Sequence, residues 1–118
     1  PYFAMNDMEP VEIRKDFVEI RKKVNPQDIN SNGFWHGATI YGVIDHAFAI
    51  LVNIEGHAVG QSTNINYYRP RRGETIPAKA RFINVSRSLY YVNVEAYDGD
   101  KMVASATCTA FRLAEVHK

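Results

Sequence analysis

A long apolar segment constrains the fold of this chain more than any other feature. Residues 37–54 read GATIYGVIDHAFAILVNI, contain no proline and lie between Gly33 and Gly56. The segment is too long for an ordinary strand, so it predicts a helix. A helix that is apolar on nearly every side lies either in a membrane or enclosed by protein. Its length approaches the roughly 20 residues that cross a bilayer, but Asp45 stands at its centre. The residues that follow also lack a membrane pattern, so we expect no membrane partner.

Alternating segments on both sides of this helix indicate β-strands. The sequence predicts one strand before the helix, over 17–24, and four after it, over 58–69, 75–85, 89–97 and 101–113. Short polar breaks separate the later strands, and the last break holds an Asp-Gly hairpin signal. The layout predicts an α+β fold in which an antiparallel sheet of about five strands wraps round one long central helix. A flat sheet, the alternative, would cover only one stripe of such a helix. We expect a second copy to bury what the sheet leaves uncovered, which makes the protein a homodimer.

Length, charge and cysteine content narrow the class of protein further. The 118 residues fit one domain, and we expect an N-terminal arm or short turn over 1–16, the folded domain over 17–114 and a tail over 115–118. The formal net charge of +1 provides no overall field to attract nucleic acid or anionic lipid. Cys108 is the single cysteine, so no intrachain disulfide forms. This fits a reducing, cytoplasmic compartment.

Two positions on the predicted helix are candidates for chemistry. Asp45 lies in an apolar helix, where a carboxylate is costly unless it is paired or used. An Asp satisfied by a hydroxyl or amide at a subunit interface is an equally open interpretation. Gly37 places a backbone N–H in the first turn, where the helix dipole favours a developing oxyanion, although a plain helix start explains the glycine too. The two positions are eight residues apart, about 12 Å along the axis. If they cooperate, they therefore come from two chains.

Two further groups of side chains have the chemistry of binding sites, the histidines and a set of arginines. The four histidines show no metal-ligand spacing, so the sequence predicts no metal site. Four arginines form a local basic rim, three of them at the break between the second and third predicted strands and one in the next break. The rim is either a solvated loop or a phosphate-binding site. The four arginines are Arg69, Arg71, Arg72 and Arg87.

The motifs together resemble a known family of enzymes, the hotdog-fold acyl-CoA thioesterases of the PaaI-like, phenylacetate-pathway type. The resemblance extends from about residue 17 to residue 113. It rests on NSNGFWHG at 30–37, DHA at 45–47, INYYRP at 65–70 with Gly73, SRS at 86–88 and VA at 103–104.

This resemblance implies a hotdog fold, a dimer that is often paired into a tetramer, and hydrolysis of acyl-CoA thioesters. It implies no cofactor other than the coenzyme A of the substrate. In the family, the residue matching Asp45 acts as nucleophile or general base. The N–H matching Gly37 polarises the thioester carbonyl, and the residue matching Asn30 positions the carbonyl or the water. The Asp comes from one subunit and the other two groups from its neighbour.

The chain departs from the family pattern at one helix position. Ala38 replaces the second glycine of the usual His-Gly-Gly, so its methyl group either crowds the carbonyl or narrows the acyl tunnel. We count it and His36 as substrate-binding candidates. Some members also carry a polar strand residue that faces the site, and here Ser62, Thr63 and Asn64 are equally eligible. Two other functions stay open: an acyl-CoA-binding module without hydrolysis, and an enoyl-CoA hydratase or dehydratase of the same fold.

Overall fold

The computed structural model describes residues 7–113, which form six strands, one short 3₁₀ turn and one α-helix. The strands make a single antiparallel sheet in the order β1-β2-β4-β5-β6-β3. This confirms the predicted α+β layout of one helix against one antiparallel sheet. The elements are β1 (Met8–Arg14), β2 (Phe17–Lys23), the 3₁₀ turn (Pro26–Asp28), α1 (Gly37–Val52), β3 (Ala58–Tyr67), β4 (Thr75–Val85), β5 (Leu89–Asp98) and β6 (Lys101–Arg112).

The first strand is the main difference from the sequence-based layout. Residues 8–14 fall within the segment 1–16 that we expected to be an arm or short turn, but they pair antiparallel with β2. Only Met8 of this edge strand is buried, and a bulge between Pro10 and Glu12 interrupts its register. Val11 and Ile13 alternate with Glu12 and Arg14, but this run is short and follows Pro10, so it did not by itself predict a strand. The predicted tail over 115–118 lies outside the described residues.

The core forms between the inner face of the sheet and one side of the helix. Alternate residues of the central strands point inward, as the period of two predicts. From α1, the buried side chains recur at the three- and four-residue spacing of a helix face. The core residues of β2, β4, β5 and α1 are Val18, Ile20, Ile76, Ala78, Ala80, Val92, Val94, Ala96, Ile40, Val43, Ile44, Ala47, Phe48, Leu51 and Val52.

One stripe of the helix stays exposed in the single chain. Gly37, Tyr41, Asp45 and Ala49, each four residues apart, are exposed, whereas the opposite side packs chiefly against β2, β4 and β5. A single copy of the chain therefore leaves uncovered the part of the helix that we assigned to a second copy. Asp45 lies at the surface of the single chain and not in its core.

The helix ends at Val52, two residues before the predicted end. Asn53 stops it with both ends of its carboxamide: Nδ2 donates to the Ala49 carbonyl oxygen at 2.9 Å, and Oδ1 accepts from the Ala58 N–H at 3.0 Å. The second bond turns the chain directly into β3. Among residues 7–113, none of the helical segments has the length and hydropathy needed to span a bilayer.

Candidate active site

The loop that leads into the helix is organised by Asn30. Its N–H donates to the Phe34 carbonyl oxygen at 2.7 Å, and its Oδ1 accepts from the N–H groups of Asn32 at 2.9 Å and Phe34 at 3.1 Å. Gly33 has φ of 85°, a backbone region that L side chains rarely adopt. The loop thus holds the amide oxygen of Asn30, and its NH₂ group is the part that a substrate can use.

Gly37 is the first residue of α1. The preceding residue, His36, takes the N-cap position without a side-chain capping bond. The first N–H groups of a helix have no partner within the helix, and among the described residues none accepts from the Gly37 N–H. The structure therefore leaves a hydrogen-bond donor open at the positive end of the helix dipole. His36 and Ala38, the two neighbouring candidates, are both exposed.

A groove of about 310 Å³ opens at this helix start. Tyr67 forms its wall over Gly37, to whose carbonyl oxygen its hydroxyl donates at 3.2 Å. Burial, and then the neighbouring Tyr41, raise the pKa of Tyr67. The lining residues are Trp35, Gly37, Ile40, Tyr67, Tyr68, Arg69, Pro70 and Arg71.

The four predicted arginines do not form one rim in the single chain. Arg69 is exposed and lines the groove. The Nε of Arg71 donates to Asp98 Oδ2 at 2.8 Å, and the guanidinium of Arg72 lies 4.4 Å from the centre of the Phe34 ring.

Arg87 lies elsewhere, which corrects the sequence-based grouping. The loop with Arg72 precedes β4 and the turn with Arg87 follows it, so the two are separated by the length of an 11-residue strand, roughly 35 Å. Arg87 borders a different depression of about 530 Å³, next to Arg112 and the segment after the helix.

Asp45 acts electrostatically on the sheet at Cys108, the strand partner of Thr63. Burial raises the pKa of the Cys108 thiol to about 11, the Thr63 hydroxyl partly opposes this, and the Asp45 carboxylate adds to it. Cys108 and Thr63 are direct partners across β6 and β3. The carboxylate of Asp45 is therefore close enough to influence this pair electrostatically.

The structure also distinguishes the three polar candidates on β3. Thr63 is half-buried and lies on the same side of the sheet as the side chain of its partner Cys108, whereas Ser62 and Asn64 are exposed. Ser62 Oγ lies 2.6 Å from Thr109 Oγ1, away from the helix. Only Thr63 of the three shares a side of the sheet with Asp45.

Gly37 and Asp45 are not brought together within one chain. Both belong to the exposed stripe of α1 and are eight residues apart, about 12 Å along the axis. Asn30 and Gly37 belong to the same loop and helix start, so the single chain groups those two and leaves Asp45 separate.

A buried ion pair beside the helix start was not anticipated from the sequence. Lys22 Nζ and Asp28 Oδ2 are 3.0 Å apart, and the two residues are 4% and 7% exposed. The sequence did contain a signal for it. Lys22 continues the inward series of Val18 and Ile20 on β2, and a lysine on a buried face requires an acidic partner. Within residues 7–113, no three His, Cys, Asp or Glu side chains lie close enough together to bind a metal ion. Hydrolysis without a metal stays a prediction.

Comparison with known families defines the class of protein to which this arrangement belongs. The family model of the Thioesterase superfamily matches residues 32–105, which is more than half of the chain. The chain therefore belongs to the thioesterase superfamily, and its fold is the hotdog fold.

Individual relatives show which proteins within the superfamily this chain is similar to. A mutant of the phenylacetic acid degradation protein PaaI of Thermus thermophilus superimposes with a TM-score of 0.91 at 29% identity, over 96% of this chain and 99% of that chain. A Streptococcus mutans protein bound to acetyl-CoA has a TM-score of 0.84 at 25% identity, over 92% of this chain and 90% of that chain. A Deinococcus radiodurans protein named "Putative esterase" is 28% identical over 101 residues, which is 85% of this chain and 69% of the relative. The PaaI-like resemblance that the sequence motifs indicated is thereby confirmed.

Proposed function

We propose that this protein hydrolyses acyl-CoA thioesters to the free acid and CoA at a site shared by two copies of the chain. One observation carries the proposal: the Gly37 N–H has no acceptor in the described chain and lies at a groove lined by Arg69. Membership of the thioesterase superfamily supports thioester hydrolysis in general. The related protein bound to acetyl-CoA supports a CoA thioester as the substrate.

The reaction follows from the charges that develop at the thioester. The carbonyl oxygen accepts from the Gly37 N–H, where the helix dipole stabilises the negative charge that forms. The NH₂ group of Asn30 helps to hold the carbonyl or the water. Asp45 of the second copy either attacks the carbonyl carbon itself or removes a proton from a water molecule that attacks it, and a tetrahedral intermediate forms. The C–S bond then breaks and CoA leaves as a thiolate, which needs no strong general acid. In the water route this step releases the free acid; in the other route it leaves an anhydride with Asp45, which water hydrolyses to the free acid and the regenerated carboxylate.

The phosphates of CoA need cationic side chains outside the acyl groove. Arg69 is the first candidate because it is exposed beside the helix start. Arg71 and Arg72 lie in the same loop but are engaged by Asp98 and by the Phe34 ring. Arg87 is too far along β4 to join them within one chain, so we assign it to CoA only if a second copy brings it close.

The proposed setting is a homodimer, with pairing into a tetramer as an extension of it. We expect no cofactor other than the coenzyme A of the substrate and a reducing, cytoplasmic compartment. The exposed stripe that contains Gly37 and Asp45 is the part of α1 that a second copy would cover.

A backbone donor is tested by replacing Gly37 with proline. Proline is tolerated at the first helical position, since that N–H has no partner in the helix. The preceding residue, His36, already has the extended ψ of 140° that proline requires. Gly37→Pro removes the donor, and we expect kcat for thiol release from acyl-CoA to fall by about a hundredfold or more.

Gly37→Ala is the matched control, because it keeps the N–H. Its methyl group would lie 3.7 Å from Tyr67 Cζ, an ordinary contact, so we expect activity near that of the wild type. Equal activity of the Pro and Ala variants would refute the role of the donor. Absence of thiol release from every acyl-CoA offered to the wild type would instead favour a binding module or an enoyl-CoA hydratase.

A further inference from the structure

The first turn of α1 is tethered to Asp28. The Asp28 carbonyl oxygen accepts from the N–H of His36 at 2.7 Å. Its Oδ1 accepts from the Thr39 hydroxyl at 3.2 Å. An ordinary capping side chain would bind N–H groups of the first turn, whereas this tether uses a hydroxyl and the N–H that precedes the helix. It therefore fixes the helix start and leaves the Gly37 N–H open.

The second carboxylate oxygen of Asp28 contacts residues that precede the helix. Its Oδ2 accepts from the Asn25 N–H at 2.8 Å and pairs with Lys22 Nζ at 3.0 Å. Lys22 belongs to β2, one of the strands on which the helix packs. Since Asp28 is 7% exposed, water competes little for these bonds. The contacts form a continuous path from the sheet through Asp28 to the first turn of α1.

The opposite charges of Lys22 and Asp28 affect the electrostatics at the start of α1, where the carbonyl oxygen of the substrate would bind. A lone carboxylate beside the helix start would oppose the negative charge that develops on a carbonyl oxygen bound at Gly37. The Lys22 ammonium at 3.0 Å from Asp28 offsets that charge. Asp28 can thus act as a strong acceptor for Thr39 without adding a net negative charge next to the oxyanion.

We propose that Asp28 is a positioning residue for the reaction. It contacts the first turn of α1 through Thr39 and His36 and thereby ties this turn to β2. The Gly37 N–H is then held in place to bind the thioester oxygen. This inference rests on the proposed function. The placement of an oxyanion donor matters strongly, because a displacement of about 1 Å can cost about a hundredfold in rate. A helix start without this tether frays, as helix ends do.

Thr39 offers the least disruptive test. Thr39→Val removes the hydroxyl at nearly constant shape and leaves the ion pair of Lys22 and Asp28 in place, and Thr39→Ser keeps the hydroxyl. For acyl-CoA hydrolysis we expect kcat of the Val variant to fall about tenfold while KM changes less than about twofold. The Ser variant should stay within about twofold of the wild type in both. A purely structural role would lower the unfolding midpoint of the Val variant and leave kcat unchanged, so a wild-type kcat overturns the proposal.

Amide hydrogen exchange provides a readout that does not depend on activity. The Ile40 N–H donates to the His36 carbonyl oxygen at 3.2 Å, so its exchange reports on fraying of the first turn. We expect exchange to be at least about fivefold faster in Thr39→Val than in Thr39→Ser. If the wild type hydrolyses no acyl-CoA, the proposed function fails, and faster exchange still supports the tether. Equal exchange in the two variants overturns the tether in either case.

Discussion

At the residue scale, two adjacent polar residues of β3 lie on opposite sides of the sheet, and only one of these sides borders the candidate site. Thr63 is half-buried, pairs with Cys108 and shares its side of the sheet with Asp45, whereas the adjacent Ser62 hydroxyl meets Thr109. Neighbouring residues of a strand point to opposite faces. From the sequence the three residues are equal candidates, because it does not show which face of the strand the helix covers.

Substitution of Thr63 tests this distinction. We expect Thr63→Val to lower kcat for thiol release about tenfold, the value of one hydrogen bond in the site. Ser62→Ala is the matched control, since it removes a hydroxyl one residue away on the other face, and it should retain activity within about twofold. Equal losses in the two variants, measured in parallel, would contradict the assignment.

The thiol of Cys108 is expected to make stability pH-dependent. Burial raises its pKa from 9.0 to about 11, so the folded state binds the proton more tightly than the unfolded chain. The resulting stabilisation is fully present below about pH 9 and is lost as the pH rises from about 9 to about 11. Denaturant unfolding should show a larger loss between about pH 9 and about pH 11 in the wild type than in Cys108→Ala, since the raised pKa of Tyr67 acts in both proteins. The same loss in both proteins would contradict the assignment to Cys108.

At the element scale, the loop between β3 and β4 is held from two directions. Trp35 donates from its backbone N to the Arg71 carbonyl oxygen at 2.9 Å and from Nε1 to the Gly73 carbonyl oxygen at 2.9 Å. The Arg71 guanidinium reaches Asp98 at the end of β5. One wall of the groove is therefore fixed to both the helix start and the sheet.

A methyl group at Gly73 would disturb this loop. A Cβ there would lie 2.2 Å from Asp98 Oδ1, so the carboxylate must move and its bond to Arg71 weakens. We expect Gly73→Ala to lower the free energy of unfolding by about 1–3 kcal/mol, as overpacking does. Gly60→Ala is the comparison, because its Cβ would make an ordinary 3.5 Å contact with Phe48. A Gly73→Ala protein as stable as Gly60→Ala in denaturant unfolding would contradict this.

At the scale of the whole molecule, the proposal of a site shared by two chains depends on the exposed stripe of α1. Gly37 and Asp45 face outward on the same helix, about 12 Å apart along its axis. An antiparallel arrangement of two helices would place the Asp45 of each copy opposite the Gly37 of the other. Each symmetric dimer would then contain two equivalent sites.

Mixing two inactive variants tests the shared site. Asp45→Asn should lower thiol release by at least about a hundredfold without changing the dimer mass in light scattering, and Gly37→Pro should be similarly inactive. A heterodimer of the two has one site with both groups intact, so co-expression should restore about a quarter of wild-type activity if the subunits pair at random.

Two outcomes would contradict this whole-molecule prediction. Activity that stays at the level of the single variants would place both groups in one chain. A monomeric mass for the active wild-type protein would remove the second copy altogether. Asp100→Asn, in the exposed turn between β5 and β6, is the matched carboxylate control and should leave activity unchanged.

The sequence by itself determined the helix, five of the strands and the motif residues. These features depend on local periodicity and on short stretches such as 30–37, which a single chain displays directly. It did not determine β1, because the alternation of Val11 and Ile13 is short, a bulge interrupts it, and neither side chain becomes buried. Only the tertiary structure decided that Thr63 and not Ser62 lies on the side of the sheet with Cys108, that Arg87 is far from Arg72, and that Lys22 pairs with Asp28 beside the helix start. Each of these depends on which segments distant in sequence become neighbours, and hydrophobic periodicity fixes the face of an element but not its partner.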